Sequence, residues 1–159
     1  MIIREAVDKK IMNKIVYAKN RAVELLKKHG IEISNAEIIL DENLQKIADA
    51  IINENIPKIR INPNKIAEFD SYDIVFIILH ELFHELLLTE VDEIDIDDFD
   101  HKIYNKATDL EINQIIAKMI GTDKLSNRLI SYVIWPNYYG LPFNKRWHFY
   151  YKELKKKGY

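Results

Sequence analysis

The chain has 159 residues, 48% of them hydrophobic and 30% charged, with a net charge of −2. This length and composition suit one globular domain spanning residues 1–159, and the near balance of 23 basic and 25 acidic residues leaves no electrostatic footprint for a nucleic-acid partner. Cysteine is absent, which excludes disulfides, thiolate metal sites and a cysteine nucleophile, so any metal has to be held by nitrogen and oxygen.

The N-terminus, Met1 to Glu5, lacks the basic patch and long apolar run of a secretory signal. The longest apolar run, Ile74 to Leu79, falls far short of the roughly 20 residues a membrane span needs. A cytoplasmic protein without a membrane partner is the expectation.

From Glu5 to His29 apolar residues recur at helical spacing (Val7, Ile11, Ile15, Ala18, Ala22, Leu25), and Gly30 is a natural stop. Ile31 to Leu40 is ambiguous, with Ile38-Ile39-Leu40 as a possible short strand. Asp41 reads as the N-cap of a second helix, Glu42 to Glu54, with Leu44, Ile47, Ala48, Ile51 and Ile52 on one face. Ile56 to Ile61 reads as a strand, and Pro57 marks either an edge position or a strand start. Asn62-Pro63-Asn64 ends it.

Asp70, with Asp73 three residues on, opens a third helix reaching about Leu88. It is apolar almost all round, which predicts a central, buried helix. An acidic loop covers residues 90 to 100; without the spacing and glycine of an EF-hand it reads as a solvated loop rather than a calcium site. A fourth helix, His101 to Ile120, stops at Gly121. A turn-rich aromatic loop, Trp135 to Pro142, precedes a last helix from Lys145 to Lys156. The expected fold class is α+β, mostly helical with a small sheet beside the central third helix.

That third helix carries His80-Glu81-Leu82-Phe83-His84. Side chains at i and i+4 share a helix face about 6 Å apart, so two imidazoles there can converge on one zinc ion, with the intervening glutamate as base toward a bound water. Polar groups interrupting so apolar a helix are costly unless paired or ligated. Glu85 reads as a surface residue.

A catalytic zinc usually has a third protein ligand. On the fourth helix Asn105, Asp109 and Asn113 recur every four residues and form a polar stripe on the side of Ile112 and Ile116. Asp109, flanked by two amides, is the main candidate. His101 competes, at a distance from His84 comparable to that of the third histidine in SprT-like proteases, though the glycine and histidine setting of that family is missing. Glu111, two residues from Asp109, points well away from its face.

These motifs resemble the metallopeptidase-like domain of bacterial, archaeal and phage proteins that often precedes a von Willebrand A-like domain. The likeness runs over about residues 56 to 155: the His-Glu-x-x-His helix, the Asn105-x-Ala107-x-Asp109-x-x-x-Asn113 pattern, the Ile61-Asn62-Pro63 step, Gly140-Leu141-Pro142 and Tyr150-Tyr151. The departure is the von Willebrand-like domain, which this sequence does not contain. The resemblance implies a zincin-like fold, His80, His84 and Asp109 as Zn2+ ligands, Glu81 as catalytic base and a peptide or protein substrate. Zincin folds place an edge strand ahead of the metal helix, and Ile56 to Ile61 stands where such a strand would receive a peptide. Tyr104, Tyr138, Tyr139 and His101 are the candidate oxyanion donors. The expected activity is zinc-dependent peptide hydrolysis; the alternative is a metal-containing binding or regulatory module of the same fold without proteolysis.

Overall fold

A computed structural model describes residues 2–31, 36–51, 56–87 and 99–159. Helix α1 (Ile2–Lys28) follows the apolar spacing: Ile11, Ile15, Ala18, Ala22, Leu25 and Leu26 are buried and face the core. It ends in a Schellman motif. Gly30 adopts φ +79°, its N–H donates to Lys27 O, and Ile31 N–H donates to Leu26 O; a side chain at this left-handed position would be strained.

Three short strands follow, β1 (Glu37–Leu40), β2 (Ala48–Ile51) and β3 (Lys58–Ile61), in the order β1-β3-β2. β1 pairs parallel to β3 with Leu40 opposite Ile61, and β2 pairs antiparallel to β3 with Asp49 opposite Arg60. Ile59 and Ile61 enter the core while Lys58 and Arg60 alternate outward.

The sheet corrects two expectations. Over residues 42–51 of the helix expected from Glu42 to Glu54 a turn and β2 stand instead, and residues 52–54 lie outside the described residues. The apolar spacing there is compatible with a helix, but long-range bonds decide otherwise. Arg60 clamps Asp49 across the strands, with Nε donating to Oδ1 at 2.8 Å. Asn62 Nδ2 donates to the Glu42 and Leu44 carbonyls at 3.2 and 2.9 Å, and Asn62 N–H donates to Ile47 O at 2.8 Å. Asp41 turns the chain by accepting from Asn43 N–H at 2.9 Å instead of capping a helix. The second correction concerns β3, which is the central strand; Pro57 marks its start. The strand at the sheet edge beside α3 is β2.

Asn62 also caps the short helix α2 (Pro63–Ile66), its Oδ1 accepting from Asn64 N–H at 3.0 Å. Helix α3 (Ser71–Leu87) then crosses the molecule. Asp73 reaches back to accept from Asp70 N–H at 3.1 Å, the half of a capping box that the sequence anticipates. Ile74 through Leu79, Leu82 and Phe83 are buried. α1, β2 and α4 (His101–Ile120) pack around α3.

Asp100 caps α4, and Gly121 at φ +100° stops it. Helix α5 (Asn127–Tyr132) is tied to the start of α3 by Ser126, whose Oγ and N–H both donate to Asp73. Helix α6 (Trp147–Lys156) packs on the far side of α4 and makes a second core from Trp147, Tyr150, Tyr151 and Leu154 against Ile103, Tyr104, Ala107 and Leu110. α4 is therefore covered on two sides, by α3 and by α6. The acidic loop up to residue 98, the expected end of the third helix at Leu88 and the side chain of Glu85 lie outside the described residues. Among the described residues, no helix is long and apolar enough to cross a membrane.

Candidate metal centre

α3 and α4 bring His80, His84 and Asp109 together. His84 Nε2 lies 2.6 Å and His80 Nε2 3.2 Å from the same oxygen, Asp109 Oδ1, and the two Nε2 atoms are 3.0 Å apart. Two imidazoles and a carboxylate aimed at one point form a donor set suited to a divalent cation. Zinc bonds of about 2.0–2.2 Å in a tetrahedron separate neighbouring ligand atoms by roughly 3.3–3.5 Å, so the three atoms have to open by less than about 1 Å to take one.

The tautomer of His80 follows from the amide beside it. Asn113 Nδ2 donates to Ile134 O at 2.9 Å, which turns its Oδ1 toward His80 Nδ1 at 2.8 Å. An amide oxygen only accepts, so Nδ1 carries the proton and Nε2 of a neutral ring offers its lone pair to the cavity.

The charges respond to this crowding. Burial works against an ionised Asp109, but hydrogen bonds from His80 and His84 outweigh it and hold the carboxyl at about 2. Burial alone would push the His80 ring down; the Asp109 carboxylate overrides it and raises the ring above the usual histidine value. Burial pushes the Glu81 carboxyl up, with His80 and His84 offsetting part of the rise. Asp109 and, from β2, Asp49 add to the rise. A carboxylate raised in this way is a stronger base toward water.

A cavity of about 630 Å³ opens over the cluster. Its base carries His80, Glu81 and His84 from α3 with Asp109 and Asn113 from α4, and its walls are Lys46 to Ala50, running into β2, and Tyr132 to Ile134 at the end of α5.

The rival third ligands are elsewhere. His101 is exposed and packs edge-on against Phe99 at 4.6 Å. Glu111 is buried on the α6 side of α4, where its Oε1 accepts from Trp147 N–H at 2.7 Å and from Arg146 Nε at 3.3 Å, capping α6. Of the expected oxyanion donors, Tyr104 borders the cavity, whereas Tyr138, Tyr139 and His101 are not among its lining residues. Two features of the wall carry no signal in the sequence, the edge strand β2 and Tyr132. No local pattern marks either, since both arise from where distant segments meet.

No family model, no curated protein and no solved structure matches the chain.

Proposed function

We propose that this chain is a zinc-dependent peptidase of zincin-like fold, with His80, His84 and Asp109 holding the metal and Glu81 as general base. The observation that carries the reading is the convergence of three ligand atoms from two helices on one point, in a cavity that also receives the raised carboxylate of Glu81. The resemblance of the two helix motifs to the metallopeptidase-like domain points the same way.

A zinc ion bound there supplies Lewis acidity, polarising a carbonyl and lowering the pKa of a water. The chain's own groups do the rest. Asn113 and Asp109 orient the imidazoles. Glu81 takes the proton of the attacking water and returns it to the amine that leaves when the C–N bond breaks. β2 lies at the edge of the sheet and lines the cavity, so an extended peptide can add to it as a further strand and lay its backbone across the cluster.

The test is cleavage of a peptide library by the zinc-loaded protein and by Glu81→Gln. Hydrolysis lost in Glu81→Gln, with zinc and fold retained, supports the reading. A zinc-loaded wild type that cleaves nothing contradicts it and favours a metal-containing binding module of the same fold.

A further inference from the structure

Water addition to an amide places a full charge on the carbonyl oxygen, and hydrolysis needs a donor fixed where that charge develops. We propose that Tyr132 is this donor, an inference that rests on the peptidase reading above. Several donors line the cavity. Asn113 has both ends of its amide engaged, by His80 and by Ile134. Tyr104 is 5% exposed, its ring packed against Trp147 and Phe99. Lys46 is not among the groups whose charge reaches Glu81, which are His80, His84, Asp109 and Asp49, and among the described residues no hydrogen bond fixes the Asn105 side chain. Tyr132 differs from all of them. Its ring is held against Phe69, it lines the same cavity as Glu81, and at 56% exposed it is open to a ligand there, within the electrostatic reach of that carboxylate.

The segment that carries Tyr132 is tied to the rest of the fold at several points, as a preorganised donor requires. Ser126 anchors the start of α5 to Asp73 of α3. Trp135 Nε1 donates to Ile130 O at 2.9 Å. Phe69 meets the Tyr132 ring edge-on at 5.9 Å. Asn113 holds His80 with one end of its amide and, with the other, the carbonyl of Ile134, two residues past Tyr132. One side chain thus sets both a metal-facing imidazole and the wall bearing the tyrosine. Burial, and then the charge of Glu81, raise the Tyr132 hydroxyl, which keeps its proton through the neutral range.

The step balances without further reactants. The water oxygen bonds to the carbonyl carbon and its proton passes to Glu81. The carbonyl π pair moves onto oxygen, where the Tyr132 O–H donates to it. The phenolic proton stays on Tyr132 throughout. On collapse the C–N bond breaks and Glu81 protonates the amine.

The test compares wild type, Tyr132→Phe and Tyr104→Phe on one peptide substrate. A phosphinic peptide, which mimics the tetrahedral state, is titrated calorimetrically against each. Tyr132→Phe is expected to lower kcat about 100-fold with KM changed less than about threefold, and to weaken the phosphinic peptide by a similar factor, with zinc content retained; Tyr104→Phe should leave the phosphinic peptide within about threefold. A second readout needs no metal or turnover. The alkaline absorbance titration of metal-free protein, with Tyr132→Phe subtracted, should show the Tyr132 ionisation moving to lower pH in Glu81→Gln. Cleavage that survives Tyr132→Phe, or a Tyr132 ionisation indifferent to Glu81→Gln, overturns the role of Tyr132 and leaves the peptidase reading intact. A zinc-loaded wild type without cleavage overturns both.

Discussion

Asn113 Oδ1 lies 2.8 Å from His80 Nδ1, and that one contact determines which imidazole nitrogen faces the cavity. A ring free to flip would present either nitrogen and either tautomer. Partners of this kind usually contribute 10–100-fold to metal affinity. Asn113→Ala should therefore weaken zinc binding by about that factor, read by competition with a chromophoric chelator. Asn113→Asp should weaken it less, since a carboxylate also accepts from Nδ1. Equal zinc affinity in Asn113→Ala and wild type would mean that the contact does not order the ring.

The two acids of α4 should separate cleanly. Glu111 is 7% exposed and satisfies the first N–H of α6. Removing a cap and leaving that donor without its partner costs about 1–3 kcal/mol. Glu111→Ala should lower the urea unfolding midpoint accordingly while zinc affinity stays unchanged. Loss of zinc without loss of stability would reverse the roles of Glu111 and Asp109.

How far the fold and the site are legible in the sequence depends on whether local or distant forces decide. α1 and α4 follow from spacing and from their glycine stops, Gly30 and Gly121, and the buried course of α3 follows from a run that is apolar almost all round. The side of α4 taken by Asp109 is readable from Ile112 and Ile116, which share it. Glu111, at about 100° per residue, falls two positions round, and α6 covers that second side. β2 reads as helix in the sequence because Leu44, Ile47, Ala48 and Ile51 also fit a helical face. The Arg60 clamp on Asp49 and the Asn62 bonds to residues 42 and 44 that overrule this come from elsewhere in the chain. Tyr132 has no local mark at all. Its place depends on Ser126 meeting Asp73 and on Asn113 meeting Ile134, contacts made across the fold.

The pH dependence of metal binding has a definite sign. In the metal-free protein the His80 pKa is raised, so below that value the ring carries a proton that zinc has to displace. Apparent zinc affinity should fall as pH drops through it, by up to about tenfold per unit for this ring, and level off above it. Asp109, at about 2, stays ionised across the accessible range and adds nothing to the slope. A zinc affinity flat from pH 8 to about pH 5 would contradict proton competition at His80.

The β2 edge can be tested apart from the metal. Arg60→Ala removes the clamp on Asp49 and loosens the edge that a peptide would join. It should raise KM for an extended substrate severalfold with zinc content unchanged. Substrate binding indifferent to Arg60→Ala would place the peptide elsewhere in the cavity.

The most direct measurement is metal content by mass spectrometry on the purified protein, supplied with zinc and dialysed, for wild type, His80→Ala, Asp109→Ala and His101→Ala. One zinc per chain is expected in wild type and in His101→Ala, and its loss in His80→Ala and Asp109→Ala. A wild type that retains no metal, or an Asp109→Ala protein that keeps its zinc while His101→Ala loses it, would contradict a metal centre built from His80, His84 and Asp109.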